Sequence, residues 1–457
     1  YCRYGSMADL QKIKLKDATL HDYAQALMSA DSDSLREFHL DEFFSKAERT
    51  LSDSEAADHY THRKLQYVWE RFFNDRGWKL QKATDYGYLN EVPPTLMDIE
   101  VEPKKHIKGY KSATLYYVND QNKMVITITQ GSKGGFYYSI QTTEKEGNLF
   151  QDLLKYASEN NLYKGKKIDC DCRFLELDNV TWEDVILPKA VIDVVKANIN
   201  DSFSLRDKLR AYGLSIKRGV ILHGEPGVGK TNLCKCLAKD LDCSVLYALP
   251  SDFTRITGIK QVCSMAKDLA PCLLIIEDID WIALDRSSGN ASFVMELMNQ
   301  LDGIESFGDI ITLGTTNCLK DLEVAVKNRP GRFDRIIKVN KPAEKEIEKM
   351  ILRFTNRFVI DESVDLKKLS TSLKGLTGAH IRDLCTTSAL FAVKEDSNRE
   401  GKLLLKKSHF TEAIKEVKDK DYSSYMETQS KKKPLGFGQE APSPSLEDFI
   451  EDSEGML

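Results

Sequence analysis

The sequence has no long hydrophobic run. Apolar segments such as 272–276 are only a few residues long, whereas a membrane-crossing helix needs about 20 apolar residues in succession. An early cationic segment followed by an apolar core, the pattern of a secretory leader, is also missing. We therefore expect no membrane anchor and a cytoplasmic location, and we count the first domain from Met7, the first methionine.

An excess of basic residues is missing as well. The chain has 65 Lys and Arg against 70 Asp and Glu, which gives a formal net charge of −5 and a pI near 6.0. Nucleic-acid-binding proteins usually concentrate basic residues in a patch or stripe. The charge balance therefore does not favour nucleic acid as a partner.

Two metal-binding patterns are absent. None of the ten cysteines stands in CxxC spacing, and the close pairs Cys170/Cys172 and Cys234/Cys236 lie inside apolar segments. The sequence has no HExxH, the zinc-binding helix motif of many metalloproteases. We expect reduced cysteines that pack in the protein interior.

The first part of the chain predicts a helical segment and then an α+β domain. Residues 7–78 are polar, with apolar residues at helical spacing near their end. Residues 79–178 are predicted to form the α+β domain, which a strand-like stretch at 167–177 would complete. Three stretches in it alternate as antiparallel strands do: 112–118, 123–129 and 136–141.

The second part predicts a different architecture. Between 179 and 340 apolar strands alternate with helical patterns, which is typical of an α/β fold whose parallel sheet is flanked by helices. Residues 341–420 are helical throughout and predict a helical lid domain. Residues 421–457 are predicted to form a disordered acidic tail. From Glu440 to the end of the sequence there are six acidic residues and no basic residue.

The stretch GEPGVGKT at 224–231 follows the apolar strand GVILH and opens a helix. It is a phosphate-binding loop in the strand, loop and helix setting that this motif requires. Its backbone N–H groups are expected to face phosphate oxygens, with Lys230 reaching the β- and γ-phosphates of ATP and Thr231 binding Mg²⁺. The residues predicted to hold the nucleotide here are Gly224, Glu225, Pro226, Gly227, Val228, Gly229, Lys230, Thr231 and Asn232.

A later apolar strand ends in carboxylates in LLIIEDID, at 273–280. The carboxyl ends of parallel strands meet at one edge of a sheet, so these acids are expected beside the phosphate-binding loop. By position, Glu277 takes the metal role and Asp278 polarises the attacking water. Most ATPases with such a strand have the reverse order, and Asp278 is one methylene shorter than the usual Glu.

Two further motifs supply polar groups. The strand ITLGTTN at 311–317 ends in Asn317, whose amide is expected between the acids and the γ-phosphate, where it would orient water. The segment KNRPGRFDR at 327–335 holds three arginines, and guanidinium groups suit the charge that develops on a transferring phosphoryl group. For Arg335 a basic surface turn is an equally open interpretation.

The order VTWEDV, GEPGVGKT, LLIIEDID, TTN, NRPGRFDR and GLTGAHIRDL resembles that of the AAA ATPases, over about residues 180–418. The resemblance implies a homo-oligomeric ring, usually of six subunits, that binds ATP and Mg²⁺. It also implies that Arg329 and Arg332 are arginine fingers reaching the ATP of the neighbouring subunit. The remaining positions that it places around the nucleotide are Asp184, Val185, Ile186, Gly378 and Ala379.

The chain departs from the common AAA pattern in three places. The Glu-Asp order of residues 277 and 278 is similar to that of a subgroup with plant, bacterial and mitochondrial-membrane members, whose membrane anchor is not seen here. The absence of HExxH removes the metalloprotease of the FtsH branch. The segment 251–261, where such motors place a pore loop, lacks an aromatic, apolar and glycine triplet, so threading of a client is not implied. His380 replaces a usual Asp and receives no role.

We expect a cytoplasmic ATP-hydrolysing AAA protein that forms a ring and remodels or chaperones a protein client bound through its N-terminal domain. This expectation about the client rests on resemblance of architecture. Two alternatives stay open. One is a DNA-associated ATPase of the initiator or clamp-loader type, and the other is a nucleotide-gated scaffold with little turnover.

Overall fold

The structure is a computed structural model. It describes residues 36, 40, 43–44, 50–86, 91–120, 122–131, 134–143, 148–213, 218–254, 258–280, 300, 309–319, 333, 335–395 and 402–419. No helix within these ranges is both long enough and apolar enough to cross a membrane.

An antiparallel sheet forms the first part of the described chain. Its spatial order is β1, β7, β6, β5, β2 and β3, with β4 paired to β5. The strands are β1 Thr50–Ala57, β2 Lys79–Tyr86, β3 Glu91–Val92, β4 Thr95–Glu102, β5 Lys105–Val118, β6 Lys123–Gln130 and β7 Phe136–Thr142.

Two helices, α1 (His59–Asp75) and α2 (Leu149–Glu159), pack on this sheet. The apolar residues of α1 recur at helical spacing, and its buried side chains share one core with the inner face of the sheet. The structure therefore differs from the predicted boundary at residue 78, since β1 pairs with β7 and α1 belongs to the sheet domain. The sequence did not predict an edge strand in this segment, because TLSDSEAA is polar and has few of the apolar residues that are typical of strands.

A parallel sheet forms the second part, in the order β13, β9, β12, β11, β10 and β8. The strands are β8 Lys167–Asp169, β9 Arg218–His223, β10 Ser244–Ala248, β11 Cys272–Ile276, β12 Ile310–Thr316 and β13 Arg335–Lys338. The described helices that accompany it are α3 Lys189–Ser204, α4 Arg206–Ala211, α5 Lys230–Asp240, α6 Pro250–Thr254 and α7 Ile259–Asp268.

Apolar cores cover both faces of this parallel sheet, one including side chains of α7 and the other side chains of α3 and α5. Strands buried on both faces read as continuous apolar runs, and β11, CLLII, is buried along its whole length. The predicted α/β fold is confirmed.

The stretch 167–177 departs from its predicted place in the α+β domain. Only residues 167–169 form a strand, and β8 pairs in parallel with β10 at the edge of the second sheet. The thiols of Cys170 and Cys172 are buried in the same core as α7. Apolar character alone does not reveal which of two sheets a short strand joins.

A helical domain follows the parallel sheet. Its described elements are α8 Glu344–Phe354, β14 Val359–Ile360, α9 Leu366–Ser372, α10 Gly378–Glu395, β15 Leu404–Leu405 and α11 Lys407–Asp419. Apolar side chains of α8, α10 and α11 form one core. The two short strands pair with each other and were not predicted. The acidic tail lies outside the described residues.

Candidate functional site

The loop 224–229 connects β9 to α5 at the carboxyl edge of the parallel sheet. Gly227 and Gly229 have φ angles of 77° and 106°, in the left-handed region that favours glycine. A Cβ atom on Gly227 would also come within 2.6 Å of the Ala379 methyl group. The loop is therefore wrapped so tightly that side chains at these two positions would disturb it.

Lys230 opens α5 and is buried, with 6% of its surface exposed. Its Nζ donates to the carbonyl oxygens of Gly224, at 2.7 Å, and Glu225, at 3.0 Å, and to Oδ1 of Asn317, at 2.8 Å. Burial lowers the pKa of the Lys230 ammonium, while the charge of Asp278 acts to raise it. The single cation of the loop thus stands at the meeting point of the loop and the strand tips.

Asp278 is the second residue after the end of β11 and has a φ angle of 45°, which is uncommon for a residue other than glycine. Its backbone N–H donates to Oγ1 of Thr315 at 2.9 Å, and its Oδ1 accepts from Nδ2 of Asn317 at 3.1 Å. Burial and the charge of Asp280 raise the pKa of the Asp278 carboxyl, against opposing effects of Lys230 and Asn317. A carboxyl with a raised pKa is better suited to accept a proton near neutral pH.

Glu277 is buried, with 8% exposed, and its Oε1 makes no hydrogen bond to a protein atom. Buried carboxylate oxygens normally have a partner, so this oxygen is free to accept one more. Mg²⁺ prefers oxygen ligands from carboxylates, phosphates and water. The Glu277 carboxylate and the Thr231 hydroxyl are oxygen donors of this kind, so this donor set fits a magnesium ion.

One cavity of about 290 Å³ joins the loop, the strand tips and the helical domain. Its lining includes apolar side chains, such as those of Ile186 and Phe354, and charged side chains, such as those of Lys230 and Asp278. Predicted site residues that line it are Asp184, Val185, Ile186, Pro226, Gly227, Val228, Gly229, Lys230, Thr231, Asn232, Asp278, Asn317, Gly378 and Ala379.

Three described residues of the predicted set do not line this cavity. Gly224 and Glu225 stand at the start of the loop, where their carbonyl groups accept from Lys230, and Glu277 is buried. The predicted arginine fingers Arg329 and Arg332 are outside the described residues. Arg335, whose role was left open, is exposed at the start of β13.

Four residues line the cavity that sequence reasoning missed: Leu187, Met350, Phe354 and Arg382. Met350 and Phe354 lie four residues apart on one face of α8, a spacing that predicts a core-facing stripe and gives no sign of a ligand site. Arg382 stands one helical turn after Gly378 on α10, so the turn that follows the predicted Gly-Ala pair was the available signal.

A salt bridge involves Asp184, one of the residues that line the cavity. Asp184 ends a short 3-10 turn, Trp182–Asp184, and accepts at Oδ1 from Nε of Arg353 at 3.0 Å and from Nη2 at 2.9 Å. Partial burial acts to raise the pKa of Asp184, but hydrogen bonds from Thr181 and Arg353 lower it overall. Arg353 belongs to α8, so this pair ties the helical domain to the segment 182–184.

Comparison with known proteins agrees with this geometry. Residues 220–341 match the family described as "ATPase family associated with various cellular activities (AAA)". The match includes β9, the phosphate-binding loop and the strands that end at Asp278 and Asn317.

Several curated proteins are similar to the chain. The ATP-dependent zinc metalloprotease FtsH 2 of Thermoanaerobacter sp. (strain X514) is 33% identical over 59% of this chain and 52% of its own length. The proteasome-activating nucleotidase of Archaeoglobus fulgidus is 30% identical over 53% of this chain and 63% of its own length. That of Methanothermobacter thermautotrophicus is 26% identical over 70% of this chain and 83% of its own length. The chain thus spans less than two thirds of the first two relatives.

Proposed function

Since this chain belongs to the AAA family of ATPases, we propose that it binds ATP with Mg²⁺ in the cavity at the sheet edge and hydrolyses it in a ring of identical subunits. The conformational changes that accompany ATP hydrolysis remodel or chaperone a protein client, which the N-terminal sheet domain binds. The observation that supports this proposal most strongly is the chain of hydrogen bonds from Lys230 through Asn317 to Asp278 at the cavity wall.

Phosphate binding falls to the loop 224–229 and to Lys230. Backbone N–H groups at the start of α5 provide fixed donors for phosphate oxygens, and the helix N-terminus adds partial positive charge. The Lys230 ammonium now donates to two loop carbonyls and would turn to the β- and γ-phosphates. The apolar side chains of the cavity lining, among them Ile186 and Phe354, would contact the adenine.

Hydrolysis requires a group that accepts a proton from the attacking water. Asp278 lines the cavity, its carboxylate is held by the Asn317 amide, and burial raises its pKa, so it is the candidate base. Asn317 would orient the same water. Bound magnesium would neutralise charge on the phosphates, with Thr231 and Glu277 as the residues that hold it.

The proposal also includes a ring of subunits and a protein client. Arg329 and Arg332 would complete the site of the neighbouring subunit, and a ring would supply that contact. The relatives are named as a metalloprotease and as proteasome-activating nucleotidases, names that concern proteins, which supports a protein client. The N-terminal sheet domain is the part of the chain available for client recognition, since it lies ahead of the matched region.

The test is ATP turnover by the purified protein over a range of protein concentrations, beside ATP affinity measured with a fluorescent analogue. Turnover per subunit is expected to rise with concentration as rings assemble. Asp278→Asn is expected to keep ATP affinity and lower turnover on the order of 10²- to 10³-fold. Lys230→Ala is expected to lose nucleotide binding, because the loop loses its one cation.

Asp361→Asn is the matched control, because this surface carboxylate does not line the cavity. Normal turnover in Asp278→Asn would remove Asp278 from the base role. Tight binding by the unaltered protein with negligible turnover at every concentration would support the nucleotide-gated scaffold. Turnover that depends on added DNA would support the DNA-associated alternative.

A further inference from the structure

Tyr247 lies on β10, directly beside the strand that ends at Glu277. The two strands are parallel, and Tyr247 pairs with Ile275 two residues before Glu277. Side chains alternate between the faces of a strand, so Ile275 and Glu277 point to the same face of the sheet. Tyr247 and Ile275 share the core beneath α5, which places the Tyr247 ring on that face as well.

The hydroxyl of Tyr247 and Oε1 of Glu277 are both buried, and neither completes a hydrogen bond to a protein atom. Tyr247 is 7% exposed and Glu277 is 8% exposed, so surface water does not account for their missing partners. The Glu277 carboxylate interacts electrostatically with the Tyr247 hydroxyl. A buried donor and a buried acceptor therefore stand next to each other, each lacking the partner that the other could provide.

A hydrogen bond from Tyr247 would restrict the longer side chain that the Glu-Asp order places at the predicted metal position. Glu at the metal position has one methylene and one rotatable bond more than Asp, so its carboxylate can take up more positions. Ligating carboxylates are usually held by a further hydrogen bond, and loss of that bond weakens metal binding. Tyr247 offers a donor on a rigid ring that its core position already holds in place.

We propose that Tyr247 is a positioning residue whose hydroxyl donates a hydrogen bond to Glu277 and holds that carboxylate in place for magnesium. The inference rests on the proposed function, since it presumes that Glu277 serves a metal beside the nucleotide. It assigns to β10 a part in the site that the cavity lining does not reveal, because Tyr247 does not line the cavity.

The test replaces Tyr247 by Phe, which keeps the ring and removes the hydroxyl. Affinity for a fluorescent ATP analogue is measured in a magnesium titration and again in EDTA. The magnesium concentration for half-maximal enhancement is expected to rise about tenfold, the scale of losing a residue that holds a metal ligand. The affinity in EDTA is expected to stay unchanged, because the loop and Lys230 are intact.

Tyr163→Phe is the matched control, since Tyr163 is also buried with an unpartnered hydroxyl but does not line the cavity. It is expected to leave the magnesium requirement unchanged, and thermal melting checks the fold of both variants. Glu277→Asp withdraws the carboxylate by one methylene, so adding Tyr247→Phe to that variant is expected to have no further effect.

The outcomes separate this inference from the proposed function. Absence of magnesium-enhanced binding in the unaltered protein would refute the proposed function. Magnesium-enhanced binding that is the same in Tyr247→Phe and the unaltered protein would refute only the role of Tyr247. An equal loss of affinity with magnesium and in EDTA would also refute it, because a structural defect does not discriminate between the two conditions.

Discussion

At the scale of single residues, three polar side chains are joined in series, one from the start of α5 and two from the residues after β11 and β12. Lys230 donates to Asn317, and Asn317 donates to Asp278. The backbone N–H of Asn317 in turn donates to Asp280 at 3.2 Å. Asn317 thus has both ends of its amide and its backbone engaged, which sets the distance between the cation and the candidate base.

Replacement of Asn317 by Ala is expected to lower turnover on the order of 10²-fold, the scale of losing one preorganised donor in an active site. ATP affinity is expected to change little, because Lys230 keeps its two loop carbonyls and its reach to phosphate. Steady-state kinetics beside fluorescent ATP binding separates the two effects. Asn160→Ala, which removes an amide that caps α2, is the control. A loss confined to ATP affinity would contradict the role in orienting water.

At the scale of elements, Arg353 connects α8 to the segment 182–184 that precedes α3. Arg353 contacts Asp184 through two nitrogens and Glu183 at 3.4 Å. On the adjoining turn, Met350 and Phe354 reach the cavity. The salt bridge is therefore on the same helix as two side chains of the proposed nucleotide cavity.

Arg353→Ala is expected to weaken ATP binding several-fold and to leave maximal turnover nearly unchanged. The pair is partly exposed, with side chains 31% and 28% accessible, so its contribution is limited to about 1 kcal/mol. Isothermal titration with ATP measures the affinity. Arg353→Lys should recover little, because an ammonium lacks the two-pronged geometry. Full affinity in Arg353→Ala would show that other contacts hold α8.

At the scale of the whole molecule, the two sheet domains are joined by a partly buried polar cluster around Asp268. Oδ2 of Asp268, at the end of α7, accepts from Nζ of Lys64 at 2.5 Å, the Tyr60 hydroxyl at 2.7 Å and Nδ2 of Asn161 at 2.9 Å. Lys64 and Tyr60 belong to α1 of the N-terminal sheet domain. Tyr60 also packs in the core of the parallel-sheet domain, so α1 touches both units.

Asp268→Ala is expected to destabilise the protein by about 3 kcal/mol, because it leaves the buried Lys64 ammonium without its partner. Differential scanning calorimetry is expected to show a lower transition temperature, and separate unfolding of the two units would appear as a second transition. Lys64→Met combined with Asp268→Leu should recover most of the loss, since no buried charge is left unpaired. Asp361→Asn is again the surface control. An unchanged transition temperature in Asp268→Ala would mean that the cluster does not stabilise the contact.

Much of the site was within reach of sequence reasoning, because its main parts are local. A glycine loop between an apolar strand and a helix predicts its own geometry, and acids at the end of a parallel strand predict their edge of the sheet. The boundaries between domains were harder to predict from the sequence. Whether 167–169 joins the first sheet or the second depends on packing against β10, which lies more than 70 residues away.

The sequence by itself determined the family and the parallel sheet, since these follow from short motifs in fixed order, and it predicted the residues around the phosphate-binding loop. Only the tertiary structure decided that Tyr247 stands beside Glu277, that Arg353 holds Asp184 and that Asp268 joins α1. The physical reason is sequence separation: each pair joins residues 30 to 204 positions apart, and no local pattern encodes which buried donor will meet which buried acceptor.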